Sequence, residues 1–522
     1  MNGLLRLSPG DAGAPLFDSD ASRAIEHAAL AQAPAHALME RAGFAVARLA
    51  LSLAPHAQRI WVAAGPGNNG GDGLVAARWL HAAGRSVHVT CIGDTDRLPP
   101  DAAHARQQAL VAGVALHSEA ALPAADGQDP GLVIDALLGL GQRRAPEGAM
   151  AATIHVLNAC RRRGAFALAV DLPTGLCANT GRALGEALVQ ADATLALLTA
   201  KPGLFTGHGR DAAGAVWWDD LGVALGAWPA TARLSSRADA QAAMAPRLAA
   251  PHASHKGRFG DVWVVGGAAG MQGAAQLAAR ASLRAGAGRV YVSWLAGDAG
   301  APPSPTSPEL MQRPWSDART ASWVDQATVV CGCGGGEAVR QVLPELISRA
   351  HRLVLDADAL NCIATDSALA QQLQARGRRG AATTLTPHPL EAARLLGTDT
   401  AALQANRIQA AQTLADRFGA TVVLKGSGSV VAAPGQPPVI NASGNARLAT
   451  AGTGDVLAGW IGGCWSTHAD EAARSTATPL AAQVAAGSAW LHGRAVEAPG
   501  TALPMPASQL IEAMAAAADT LR

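Results

Sequence analysis

Neither sign of charge is in excess in this chain: 41 Lys plus Arg stand against 40 Asp plus Glu in 522 residues. No basic field is therefore available to hold nucleic acid or an anionic membrane. Charge of either sign is scarce at 16%, while glycine, alanine and proline are abundant, which describes a compact globular chain and not a disordered one. Long apolar runs are missing as well. The uncharged stretch around 475–491 is Ala-rich, studded with polar residues and interrupted by Pro479, so no membrane span is expected. Residues 1–20 hold a single Arg and a short broken apolar run, a poor secretory leader. The seven cysteines are scattered and odd in number, which fits a reducing cytoplasm better than a disulfide framework. Cys331 and Cys333 lie two apart without a second ligand pair, which argues against a metal site there.

The length exceeds one ordinary core and implies two or three domains. In the first half, apolar or β-branched runs alternate with helix-length segments: Arg59–Ala64, Ser86–Ile92, Leu132–Ala136, Ala165–Val170 and Ala193–Leu198. Strands so separated predict a parallel sheet with helices on both faces. A helical stretch, Ala21–Leu53, precedes them. From Trp228 to about Pro251 the pattern dissolves into Ala, Pro, Ser and Arg, so residues 229–250 are expected to link a domain over 1–228 to another over 251–522. The second series runs through Asp261–Gly267, Arg289–Ser293, Ala327–Cys331, Leu353–Asp356, Thr383–Leu385 and Thr421–Leu424. No repeat relates the halves.

The most informative stretch is Gly452-Thr453-Gly454-Asp455, followed by the apolar run Val456, Leu457, Ala458, Trp460 and Ile461. The glycines allow a tight turn and close approach to a ligand. A helix starting there aims free N–H groups and its positive dipole end at the loop, which suits a phosphate. A carboxylate in an anion site repels phosphate, so Asp455 is either a base for a hydroxyl facing that phosphate or a plain capping residue. His388 in Thr386-Pro387-His388-Pro389 sits between prolines in an extended loop. Lys425-Gly426-Ser427-Gly428-Ser429 places a cation in a small polar loop after a strand.

In the first half, Gly65-Pro66-Gly67-Asn68-Asn69-Gly70-Gly71-Asp72-Gly73 lies between a strand and a helix, offering backbone N–H donors at a strand's C-terminal end. It lacks the Lys-Ser or Lys-Thr pair of a Walker loop. Asp135–Arg144 and Asp171–Leu176 follow two further strands. Together these loops place an amide, two carboxylates and a hydroxyl at one sheet edge, an oxygen set suited to a hard cation, with an Arg pair that can meet a phosphate.

These pieces carry a resemblance. LMERAG, GPGNNGGDGLVAARWL, DALLGLG, DLPTGL and Thr199–Leu204 make residues 21–225 resemble the YjeF N-terminal domain, the NAD(P)H-hydrate epimerase family. HKGRFGDVWVVGG, GMQGAAQLAARASLRAGAG, Pro308–Met311, LDADALN, TLTPHP, VLKGSGS and TAGTGDVLAG make 250–495 resemble the YjeF C-terminal domain, an NAD(P)H-hydrate dehydratase. The resemblance implies an α/β protein of two domains, a Rossmann-like α/β/α sandwich and a ribokinase-like α/β domain. It implies that Asn69, Asp135 and Thr174 hold potassium. Contacts to the hydrated dinucleotide would come from Asn68, Asn69, Gly70, Gly71 and Asp72, from Gly139, Leu140, Gly141, Gln142, Arg143, Arg144 and Ala145, and from Asp171, the residue expected to transfer a proton. In the second domain, Lys425, Gly426, Ser427, Gly428, Ser429 and Gly454 would contact the nucleotide. Ala274, Gly334, His388 and Asp455 would contact the hydrate, with Asp455 as base. The sequence departs from the family pattern at Ala451, at Asn445–Leu448, at Leu390 and at Cys333, where glycine, an Asn-Pro-Gly-Met-like stretch, glycine and proline are usual. An alanine at 451 requires that this position need no positive φ.

The function so implied is nicotinamide nucleotide repair: epimerisation of hydrated NADH and NADPH, and dehydration of the S form at the expense of ADP with magnesium. A cytoplasmic homo-oligomer acting on small molecules is expected, with no nucleic acid or membrane partner. The alternative is a ribokinase-like small-molecule kinase fused to a non-catalytic binding domain.

Overall fold

The computed structural model describes residues 3–7, 13–118, 129–295, 307–315, 322–468, 477–497 and 503–522, and every residue expected at a site is among them. Contacts divide the chain into two units, Met1–Pro9 with Ala14–Arg233, and Gly10–Gly13 with Leu234–Arg522.

In the first unit the apolar runs pair in the order Leu5–Arg6, Ala215–Asp219, Ala193–Leu197, Phe166–Val170, Leu132–Ala136, Arg59–Ala64, Ser86–Cys91 and Ala115–His117. Leu5–Arg6 is antiparallel to its neighbour and all the other pairs are parallel. Alternate residues of one strand serve two cores. Ile60, Val62 and Ala64 join one cluster, while Trp61 and Ala63 join the other. That period-two division is how a run apolar throughout builds a sheet covered on both faces. The parallel strands start at Arg59–Ala64 and are added outward both ways, so the loops after this strand and after Leu132–Ala136 flank a switch in strand order, where open sheets bind ligands.

The second unit repeats the logic. Its order is Met311–Gln312, Arg289–Trp294, Asp261–Gly266, Thr328–Cys331, Arg352–Leu355, Thr383–Leu385, Thr421–Leu424, Ser429–Ala432 and Val439–Asn441, parallel through Thr421–Leu424 and antiparallel for the last two. Val262 and Val264 face one core, Trp263 and Val265 the other. The expected α/β class holds for both units. No described helix is long and apolar enough to cross a membrane.

Three expectations need correction. Ala21–Leu53 is two helices, Ser19–Leu30 and Ala37–Leu53, broken around Pro34 with His36 at φ 64°. The helix after the first glycine loop begins at Asn68, not Leu74, so most of those glycines are helical. Residues 229–250 are no unstructured linker: they hold strand Ala232–Leu234 and helix Arg237–Leu248, the latter capped by Ser236 and Asp239 and burying Ala240, Ala243 and Met244. Alanine forms helix well but marks its buried face weakly, so the apolar stripe was invisible in composition.

Candidate active sites

The first unit contains a cavity of ≈ 670 Å³ lined by Gly67, Asn68, Asn69 and Asp72 from one side and by Leu137–Ala145, Asp171 and Lys201 from the others. Gly139, Leu140, Gly141, Gln142, Arg143, Arg144 and Ala145 all line it. Gln142 also braces the loop, donating to the carbonyls of Leu138 and Pro173 at 3.1 and 3.3 Å and accepting from Gly175 N at 2.6 Å. Gly70 and Gly71 do not line the cavity. A Cβ on Gly70 would lie 2.0 Å from the Gly65 carbonyl oxygen, and one on Gly71 would lie 2.6 Å from the Met39 methyl. Neither position has room for a side chain, so the first turn of the helix packs closely against its neighbours.

Asp171 is held at φ 66°, a conformation costly for a residue other than glycine, at the end of strand Phe166–Val170. Its carboxylate accepts from Leu197 N at 3.2 Å and from Lys201 Nζ, which also donates to the Leu197 carbonyl at 2.8 Å. Lys201 and Asp171 are buried, so this is an ion pair shielded from water. Burial, with Asp171 and Glu26 nearby, pushes Asp72 well above the usual carboxylate range, and burial and Asp171 likewise raise Glu26.

Behind the cavity wall, Asp135 accepts from Thr174 N at 2.8 Å, Thr174 Oγ1 at 2.7 Å and Leu137 N at 3.2 Å. Burial outweighs these bonds and lifts the carboxyl to about 6. Asn69 Nδ2 is buried without a hydrogen-bond partner.

In the second unit, helix Thr453–Ser466 starts at the glycine loop. Its N-cap is Gly452 at φ 88°, without a side-chain cap. Asp455 is therefore a first-turn residue and not the cap. The positive φ falls on Gly452, and Ala451 is absent from the positive-φ residues, so the condition set by the alanine is met. Asp455, Asp356 and Cys333 place ligand atoms within 4.8 Å of one another. Burial and then Asp356 raise Asp455 to about 6, and burial with both carboxylates pushes the Cys333 thiol well up. Lys425 Nζ binds Asp356 Oδ1 at 2.7 Å, where Thr386 Oγ1 also donates at 2.8 Å. Lys425, Gly426, Ser427 and Gly428 form the turn between antiparallel strands Thr421–Leu424 and Ser429–Ala432. An ideal Cβ on Gly454 would lie 3.2 Å from Lys425 Nζ, so loop, lysine and carboxylates converge. A Cβ on Gly334 would lie 2.9 Å from that of Ala274, which places these two together. His388 is the N-cap of helix Pro389–Leu396: its Nδ1 accepts from Leu390 N and Glu391 N at 3.2 and 3.3 Å, and its half-exposed ring meets Glu391.

Sequence reasoning assigned no role to Lys201, Asp356 or Cys333. Lys201 and Asp356 stand inside stretches that carried the resemblance, Thr199–Leu204 and Leu355–Asn361, and a lone Lys or Asp there gives no signal of its partner.

Two α/β units, each with an ionisable carboxylate at the C-terminal edge of its sheet and one beside a phosphate-type helix start, define an enzyme with two active sites. Residues 35–203 match the family described as YjeF-related protein N-terminus, and 262–514 match NAD(P)H-hydrate dehydratase. The bifunctional NAD(P)H-hydrate repair enzyme of Escherichia coli (strain K12) is 37% identical over 430 residues, covering 81% of this chain and 79% of its own. That of Vibrio cholerae is 33% identical over 470 residues, 88% of each chain. The crystal structure of an ADP/ATP-dependent NAD(P)H-hydrate dehydratase from Bacillus subtilis, with ATP and magnesium, is 26% identical and covers 52% of this chain and 93% of its own, at a TM-score of 0.42. The chain belongs to the bifunctional NAD(P)H-hydrate repair enzyme family.

Proposed function

We propose that the first unit interconverts the R and S epimers of hydrated NADH and NADPH, and that the second returns the S epimer to NADH or NADPH while consuming ADP. The observation that carries the second half of this is the gathering of Asp455 with the Lys425–Asp356 pair at a glycine-started helix.

In the hydrate a hydroxyl sits on a ring carbon beside the nitrogen. Hydroxide leaves poorly, whereas phosphate leaves readily when the nitrogen lone pair assists. Asp455 takes the hydroxyl proton as that oxygen attacks the terminal phosphorus of ADP. The new O–P bond forms while the bond to AMP breaks. Phosphate then departs with the C–O electron pair, and loss of a proton from the neighbouring ring carbon restores the double bond. Lys425 and the N–H groups around Gly454 stabilise charge on the moving phosphoryl group. Gly426, Ser427, Gly428 and Ser429 complete the nucleotide contacts, and Ala274, Gly334 and His388 those to the hydrate. A base near its working pH contributes roughly 10² to 10⁴ in rate. Asp356 is already bonded to Lys425 and Thr386, and of the other two groups nearby one is the Cys333 thiol and one is Asp455, needed as the base. That set does not suit a hard magnesium ion, which is better carried on the ADP phosphates.

In the first unit Asp171 carries the proton as the hydroxyl leaves one face of the ring and returns to the other, with Lys201 holding its carboxylate in place. The lining residues Asn68, Asn69, Asp72 and Gly139–Ala145 grip the dinucleotide. Asp135, Thr174 and Asn69 supply oxygen donors fit for potassium, and a buried carboxylate lifted to about 6 gains from a neighbouring cation. When bound, potassium would supply fixed positive charge beneath the cavity.

The test uses both NADPH-hydrate epimers with ADP, magnesium and potassium, following recovered NADPH. Full conversion is expected. Asp455→Asn should abolish recovery while epimer exchange, followed by chromatography, continues. Conversion of one epimer alone removes the epimerase. No NADPH with ADP or ATP removes the dehydratase and favours a kinase whose product keeps its phosphate.

A further inference from the structure

We infer that His492 is a positioning residue of the dehydratase site, holding the Thr453 carbonyl so that the backbone N–H of Gly454 points at the phosphoryl group. This rests on the reading of Gly454 and Asp455 given above.

The first N–H groups of a helix have no partner within it, and helix Thr453–Ser466 has no side-chain cap to take them. What aims them must therefore act through the peptide planes. The carbonyl of Thr453 and the N–H of Gly454 belong to one planar trans peptide group and point in opposite directions. Fixing the oxygen fixes the direction of the N–H. His492 Nε2 lies 3.0 Å from Thr453 O, and a carbonyl only accepts, so the ring is the donor. Thr453 is also held by its side chain, whose Oγ1 lies 3.1 Å from both the Leu448 and the Thr450 carbonyls. The space beside Gly454 is occupied by Lys425 Nζ, 3.2 Å from where a Cβ would stand, so an anion met by the aimed N–H would be within reach of the ammonium.

The support for His492 is itself rigid. It stands on helix Ala477–Arg494, which is tied to strand Val439–Asn441 and the residues just after it by Asn441 Nδ2 donating to the Ala489 carbonyl at 2.8 Å and by Ser443 Oγ donating to the Trp490 carbonyl at 3.0 Å. A Cβ on Gly493 would lie 2.1 Å from Ser443 Oγ, so the helix is packed directly against this segment and cannot move closer. Burial, aided by the charge of Lys425, keeps the imidazole at about 4, so the donor is a neutral ring throughout the working pH range. A charged side chain here would compete with Lys425 for the same anion.

Two variants separate aiming from packing. His492→Leu fills the space without a donor, and His492→Gln restores an N–H. His492→Leu is expected to lower dehydratase kcat about 10²- to 10³-fold, the usual effect of losing one oxyanion donor, with KM for ADP changed less than about threefold. His492→Gln should recover to within about tenfold of the natural chain and keep the acid limb of the pH profile near 6, because Asp455 is untouched. Wild-type kcat in His492→Leu, or equal impairment of the two variants, overturns the inference. Asp455→Asn run in parallel tells this apart from failure of the site reading, since a fully active Asp455→Asn chain would remove the site itself.

Discussion

A carboxylate buried beside a lysine at one site and beside a thiol at the other illustrates how single residues are tuned here. Lys201 and Asp171 have side chains 3% and 11% exposed, and removing one partner leaves the other charge uncompensated. Lys201→Met is expected to destabilise the first unit by about 3 to 5 kcal/mol, read from its unfolding transition in denaturant, and to abolish epimer exchange while S-hydrate dehydration continues. Asp135 gives a pH-dependent effect of definite sign. Its folded-state value of about 6 lies above the ordinary 3.8, so the fold prefers the protonated form, and stability falls as pH rises from about 4 to about 6. A cation relieves that cost only where the carboxylate is ionised. Potassium should therefore raise Tm at pH 7.5 and leave it unchanged at pH 4.5, measured against sodium; an equal rise at both pH values would remove the potassium site. Asp455 adds a kinetic counterpart: as the base it must be ionised, so dehydration should lose about tenfold per pH unit below 6.

At the scale of elements, glycine serves packing more than ligand contact. The helix carrying Asp455 lies so close to helix Gln272–Arg284 that a Cβ on Gly459 would be 2.1 Å from the Ala278 carbonyl oxygen. Gly459→Ala is expected to cost about 1 to 3 kcal/mol from overpacking, and to slow dehydration because the displaced helix bears the base. Calorimetry with dehydratase kinetics checks both, and an unaltered Tm would contradict the packing. The first glycine loop was legible as a ligand edge because it follows an apolar strand. That Gly70 and Gly71 lie inside a helix was not, since glycine disfavours helix and only contact with Gly65 and Met39 overrides that preference. The helix at Arg237–Leu248 was missed for the converse reason, an alanine face that carries little apolar signal.

Taken as a whole molecule, the chain carries two sites whose named residues each lie within one unit. An Asp171→Asn chain mixed with an Asp455→Asn chain should therefore recover NADPH from both epimers, at rates set by the concentration of each. Mixtures that convert no faster than Asp171→Asn alone would show that a site needs both units of one chain.

Local sequence determined where the chain turns and what each turn can offer. Apolar runs of strand length specified both sheets, and glycine ahead of an apolar helix specified the phosphate-type loop with Asp455 in its first turn, because hydrophobic period and backbone freedom act over a few residues. Which side chains meet was decided by tertiary structure alone. Lys201 reaches Asp171 across 30 residues, Lys425 reaches Asp356 across 69 and His492 reaches Thr453 across 39. Such contacts depend on the order in which strands enter a sheet and on how closely helices pack over it, and neither leaves a mark on the residues concerned.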